Sequence, residues 1–183
     1  MDYGVAAMKD FRTLTVVFTL LMSVVLGEGA GQFKLSSPDF AYGEPLPAAY
    51  AYCGPGARNL SPPLVWSGAP AETASFVLLV HDPDAPVGDF VHWVVYDIPA
   101  SQNSLPRGAS GRGSFLEGRN DYGFSGYGGP CPPPGPPHRY FFELYALSAA
   151  GLSLPPGATA AEVLEAMRPY VLARAELMGT YKR

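Results

Sequence analysis

Apolar residues in this chain fall into short runs, separated by stretches rich in proline and glycine. Two of these runs stand close together. Phe76 to Val80 is unbroken and of strand length, as expected of a strand buried on both faces. Val91 to Tyr96 is rich in β-branched and aromatic residues and begins beside His92-Trp93. Between them His81-Asp-Pro-Asp-Ala-Pro86 forms a stiff acidic turn. Strand, rigid polar turn and strand together make one wall of a site.

The same reading places a short strand over Phe33 to Phe40 and a second over Ala49 to Cys53. Ser61-Pro-Pro-Leu-Val-Trp66 reads as extended, because proline disfavours helix at its own position and at the one before. His138 to Leu147 alternates aromatic residues on two faces and predicts a further strand. Residues 117–137 have neither helical nor strand period, and a loop of that length is expected to be functional or disordered. Its aromatics, set between strong strands, favour order. Thr159-Ala-Ala-Glu162 is a helix capping box, with Val163, Leu164, Met167, Val171 and Leu172 following at helical spacing. Pro169 predicts a kink or two short helices. Leu177 to Tyr181 reads as a terminal turn or strand. The elements sum to a mostly-β domain with antiparallel sheets and a C-terminal helical segment.

Composition narrows the function more than the fold. At 183 residues one domain is expected. The net charge of −4, with no basic block, argues against nucleic acid as a partner. Lys9 and Arg12 precede an apolar run from Leu14 to Leu26, followed by Gly27, Gly29 and Ala30. That is the layout of a secretory signal. The run is roughly thirteen residues, short of the roughly twenty that span a bilayer. Residues 1–29 are therefore read as a signal peptide, residues 30–183 as the domain, and the protein as secreted or periplasmic with no stable membrane span. The two cysteines, Cys53 and Cys131, suit one disulfide in an exported protein. Closing so long a loop would contribute about 4 kcal/mol in the chain-entropy model. Sequence leaves open whether they are bonded or buried as free thiols.

The polar candidates are His81, Asp82, Asp84, His92, His138, Arg139 and Tyr140, each near a strand end. A carboxylate beside a histidine fixes its tautomer. Two histidines, a tyrosine hydroxyl and main-chain N–H groups of a glycine-rich loop would form a donor-rich cup for an anion. His81 reads as structural, Asp84 as a cap on the proline turn, and Arg139 as the partner of a carboxylate. No local pair of histidines has metal-ligand spacing, so neither metal nor other cofactor is expected. No serine sits in a nucleophile elbow.

Several of these segments, in this order, resemble one known family. Ser61-Pro-Pro-Leu-Val-Trp66, Asp82-Pro-Asp-Ala-Pro86, His92-Trp93, Gly118-Arg-Asn-Asp-Tyr-Gly123, Gly129-Pro-Cys-Pro-Pro133 and His138-Arg-Tyr140 are similar to motifs of the phosphatidylethanolamine-binding protein family, in particular its bacterial, Raf kinase inhibitor-like branch. The resemblance covers about residues 33–183. It implies a large central antiparallel sheet, a smaller second sheet, C-terminal helices and an anion pocket at one end of the sheet. Carried over by position, Asp82, His92, His138 and Tyr140 match the polar wall, and Pro83, Gly129, Pro132 and Pro133 the rim. Phe90 stands where the family often has tryptophan, which keeps the ring and loses the indole donor.

The expected function is non-catalytic binding of a small phosphorylated or other anionic ligand, resembling a phospholipid headgroup. The alternatives are inhibition of a kinase or protease through surface loops and, more remotely, a weak hydrolase using Asp82 and His92. The oligomeric state stays open, with a homodimer among the options.

Overall fold

The computed structural model describes Met1 and residues 31–183. The expected signal peptide, residues 1–29, therefore lies outside the described residues apart from Met1. Among the described residues no helix is long and apolar enough to cross a membrane.

Two antiparallel sheets carry the fold. The smaller contains β1 (Lys34–Ser36), β2 (Leu64–Ser67) and β5 (Ser104–Leu105), in the order β1-β2-β5. The larger contains β3 (Ser75–Asp82), β4 (Phe90–Pro99), β6 (Leu116–Glu117), β7 (His138–Leu147) and β8 (Val171–Tyr181), in the order β6-β4-β3-β7-β8. Helix α1 (Ala160–Met167) precedes β8. This is the mostly-β architecture that the sequence predicts, with the large and the small sheet that the resemblance implies.

Central placement explains the unbroken apolar run of β3. Phe76, Leu78 and Val80 pack toward the small sheet, in a core with Leu35, Trp66, Trp93, Tyr140 and Phe142. Val77 and Leu79 pack on the other face, with Val94, Tyr96 and the α1 residues Val163 and Met167. A strand covered on both faces has no use for alternation.

The capping box of α1 forms as expected. The Thr159 side chain accepts from the Glu162 N–H, and Glu162 accepts from the Thr159 N–H. The helix then ends earlier than its apolar spacing implies. Pro169 lies in a single 3-10 turn, Arg168–Tyr170. Val171 and Leu172, which the helical pattern had included, open β8 instead. Pairing of β8 with β7 runs from Leu147–Val171 to His138–Tyr181, and these ladder bonds outweigh local helix propensity.

Two other expectations are corrected. Strand β1 stops at Ser36, before Pro38, and does not reach Phe40. Ala49 to Cys53 is not a strand: Ala48–Tyr50 forms a 3-10 turn, closed by Tyr50 N–H to Pro47 O and Ala51 N–H to Ala48 O.

The register of β3 with β4 bears directly on the site. It passes from Val80–Trp93 to His81–Val91, so His92 is an extra residue on β4 with no partner across. Such a bulge turns a side chain out of simple alternation. Val91 keeps to the α1 side of the sheet, while Trp93 lies in the core between the sheets. His92 sits beside Tyr140 of that same inter-sheet core, with ring centroids 5.1 Å apart.

Candidate functional site

Period-2 alternation carries Asp82 onto the face of Phe76, Leu78 and Val80, and carries His138 and Tyr140 onto the face of Phe142 and Leu144. Strands β3 and β7 are neighbours, with Val80 opposite Phe142 and His81 opposite Phe141. Asp82, His138 and Tyr140 therefore converge at one end of the sheet, and the bulge adds His92 from β4.

Two of the four polar residues, Asp82 and His138, are hydrogen-bonded to each other, and the rings of His92 and Tyr140 meet edge to face. His138 Nδ1 donates to Asp82 Oδ2 at 2.8 Å. Asp82 is 3% exposed, and its second oxygen accepts from the Asp84 N–H at 2.8 Å, which pins the following turn. Buried His92 donates from Nδ1 to the carbonyl of Gly128 at 2.6 Å. Burial pushes its pKa down, against the smaller opposing effects of that carbonyl and of Asp82, so its neutral form is favoured. In both imidazoles Nδ1 is tied back, which leaves Nε2 for a ligand. Tyr140 Oη is buried beside the Asp82 carboxylate and makes no hydrogen bond of full geometry. Its pKa is driven strongly upward, first by burial and then by the charge of Asp82, so it remains a protonated donor.

A cavity of about 150 Å³ opens here, lined by Ala85, Pro86, Val87, Phe90, His92, Tyr122, Cys131, Pro132, Pro133 and His138. Of the residues singled out from sequence, Phe90, His92, His138, Pro132 and Pro133 line it. Asp82 and Tyr140 stand behind the histidines rather than in the wall. Pro83 and Gly129 do not line it either, and Gly129 serves the loop. A β-carbon there would lie 1.9 Å from the Tyr50 carbonyl oxygen, so only glycine permits the backbones to approach this closely. Its N–H donates to Asn59 Oδ1 at 2.8 Å.

Tyr122 is a lining residue that sequence reasoning quoted within a motif and left without a role. Its ring meets Phe90 at 4.9 Å and His92 at 5.7 Å, both edge to face, and stacks on Tyr52 at 4.6 Å. Its hydroxyl donates to the Gly129 carbonyl at 2.9 Å, and burial is the main cause that pushes its pKa up to about 12. An aromatic inside a loop built mostly of glycine and proline was the available signal.

The 117–137 loop is ordered by its own buried polar side chain. Asn120 donates to Gly126 O at 2.9 Å and accepts from the Phe124 N–H at 3.3 Å. Cys53 and Cys131 form a disulfide, with Cα atoms 5.2 Å apart.

The neighbouring charges are structural. Asp84 accepts from the Arg139 N–H and guanidinium at 2.9 and 2.7 Å. Arg139 thereby meets the expected carboxylate, while the turn-capping role expected of Asp84 falls to Asp82. His81 lies on the opposite face of β3, 2.6 Å from Asp89. A larger groove of about 480 Å³, lined by Gln102, Arg107, Arg112 and Phe115 among others, contains none of the candidate residues. Arg107 is already engaged there with Asp39 and Tyr50.

Comparison with known proteins agrees with this architecture. The family model described as phosphatidylethanolamine-binding protein matches residues 36–182. A UPF0098 protein of Aquifex aeolicus is 44% identical over 160 residues, covering 85% of this chain and 91% of that protein. The UPF0098 protein YbcL of Escherichia coli is 36% identical over 177 residues, covering 91% and 97%. The crystal structure of YbcL, described as a new member of the mammalian PEBP family, superposes with a TM-score of 0.77 at 35% identity, covering 82% of this chain and 98% of that one. The structure of CT736 from Chlamydia trachomatis, a PEBP homolog, gives 0.76 at 40% identity, covering 82% and 97%. On sequence and fold alike, the chain belongs to the phosphatidylethanolamine-binding protein family.

Proposed function

We propose that the cavity beside His92 and His138 binds a small phosphorylated or otherwise anionic group, without chemical turnover. The observation that carries this reading is that two imidazoles, each with Nδ1 already donating, line the same cavity. A neutral Nε2 accepts a hydrogen bond from a protonated phosphate oxygen, and a protonated Nε2 donates to an ionised one. At about 150 Å³ the cavity is smaller than the roughly 300–1,000 Å³ of sites that enclose drug-sized ligands, so it suits a headgroup. Pro86, Val87, Phe90 and Pro132 give the rest of the cavity a largely apolar lining.

Titration calorimetry with inorganic phosphate and with phosphoethanolamine tests this. Binding that is lost in His138→Ala supports it. Unchanged binding in that variant would sink the assignment. The weak-hydrolase reading changes its histidine: Asp82 holds His138 rather than the His92 expected from sequence, and a carboxylate-held imidazole is a general acid–base. Turnover of a phosphomonoester that disappears with His138→Ala would replace binding by catalysis. The same proposal has the domain exported behind residues 1–29, which N-terminal sequencing of the protein recovered from cells would check.

A further inference from the structure

Cys131 lines the cavity, and the chain after it is unusual. Residues 132, 133, 134, 136 and 137 are all proline, so only Cys131 and Gly135 of this segment have an N–H. The preceding stretch is well held. Gly128 N–H donates to His92 O, Gly129 N–H to Asn59, and Tyr52 N–H to Pro130 O. From residue 131 to residue 137, among the described residues, no backbone hydrogen bond ties the chain to its surroundings. The cross-link that anchors this rim is the bond from Cys131 to Cys53.

Both cysteines are partly exposed, and a cation sits on the bond. Arg183 Nη1 lies 3.4 Å from Cys53 Sγ and 3.9 Å from Cys131 Sγ. A guanidinium beside a disulfide stabilises whichever thiolate departs, and so favours opening.

We propose that Cys53–Cys131 is a reducible clasp on the pocket rim, opened by a dithiol, and that opening it weakens ligand binding. The thiolate of the dithiol attacks one protein sulfur, and the Sγ–Sγ bond breaks to leave the other cysteine as a thiolate beside Arg183. The second thiol of the reagent then displaces the mixed disulfide. The reagent leaves as its own disulfide, two electrons have passed to the protein, and the two cysteines share the two protons that the reagent gave up. Pro133, which lines the cavity and is exposed, is then held only through the chain, and Pro132 only by the chain and its packing.

The ligand part of this proposal rests on the pocket assignment above, while the clasp part does not. The experiment therefore has two readouts on the full chain. Dithiothreitol is titrated into the protein, with opening followed by alkylation and mass, and with ¹H–¹³C NMR signals of Pro132, Pro133 and Val163. The expected result is two alkylated cysteines in a folded protein, with shifted and broadened proline signals and an unchanged Val163. Opening should be several-fold slower in Arg183→Gln. Cys53→Ala, which removes the bond and keeps every lining residue, should show the same proline signals without reductant. A bond that opens only when Val163 unfolds, or proline signals that stay the same in the reduced protein and in Cys53→Ala, would overturn the clasp. The second readout is phosphate affinity by calorimetry, expected to fall several-fold on reduction. Equal affinity overturns the gating. Absence of phosphate binding by the oxidised protein rejects the pocket assignment and its gating, while the NMR readout still decides the clasp.

Discussion

His138 Nδ1 and Asp82 Oδ2 stand 2.8 Å apart across the junction of β7 and β3. Asp82 is nearly inaccessible, so this contact fixes both the tautomer and the direction of the ring. Asp82→Asn keeps the size of the side chain but replaces one carboxylate oxygen by an amide nitrogen, so the ring is held less firmly. Phosphate binding should weaken about tenfold, or ~1.4 kcal/mol. Calorimetry on variant and parent reads the difference, and undiminished affinity would contradict the role assigned to Asp82.

Tyr140 offers a separate test, because its buried hydroxyl makes no hydrogen bond of full geometry. Removing an unsatisfied buried group costs a protein little, since the desolvation penalty goes with it. Tyr140→Phe should therefore leave thermal stability unchanged or slightly raised in the absence of ligand. If the hydroxyl donates to a bound anion, the same variant binds phosphate more weakly, by about 1 kcal/mol. Thermal melts with and without phosphate separate the two effects. A clear loss of stability without ligand would mean that the hydroxyl has a structural partner.

How much of this was legible in the sequence differs from residue to residue. Asp82, His138 and Tyr140 share a face through simple alternation on two apolar strands, and that period is written in the residues. His92 is different. Alternation along β4 assigns it to the face of Val94 and Tyr96, and only the bulge against β3 brings it beside Tyr140. A bulge is a property of the pairing between two strands, so one strand's sequence does not contain it. Tyr122 was hidden for a related reason: its place depends on the Asn120 hydrogen bonds that fold its loop, and those have no period. The segment after α1 misled because Val171 and Leu172 continue a helical spacing, while ten residue pairs between β8 and β7 decide the outcome.

His92 should make the protein sensitive to mild acid. Burial holds its folded pKa below the ordinary value near 6.5. The unfolded chain therefore takes up a proton at that position more readily than the folded one. The contribution of neutral His92 is fully present above about pH 6.5 and is lost as pH falls toward the folded pKa. Thermal midpoints measured in steps from pH 7.5 to pH 5 should decline. The decline should be shallower in His92→Phe, whose ring cannot titrate. Equal slopes in the two proteins would show that another group governs this window.

Asp84 acts in a lower window with the same sign. Hydrogen bonds from the Arg139 side chain, the largest cause, hold its pKa at about 2, well under the usual carboxylate value. Its stabilising effect is present above about pH 4 and disappears as pH falls toward 2. The pair is largely exposed, so solvent screening keeps the effect small. Asp84→Asn should lower the melting temperature slightly at pH 6 and make almost no difference at pH 2. A constant gap between variant and parent across that range would count against the ion pair.

Gly129 is the position where the loop tolerates least change. It passes so near the Tyr50 carbonyl that an added methyl must displace one backbone or the other. Backbone has no rotamer by which to yield, so the cost is that of an overpacked core, roughly 1–3 kcal/mol. Displacement would also disturb three anchors in the same stretch. These are the Gly129 N–H to Asn59, the Tyr122 hydroxyl to Gly129 O, and His92 Nδ1 to Gly128 O. Gly129→Ala is therefore expected both to destabilise the fold and to weaken phosphate binding, although residue 129 does not touch the cavity. Chemical denaturation measures the first effect and calorimetry on the folded fraction the second. Lost stability with intact affinity would show that the His92 ring is positioned by β4 alone.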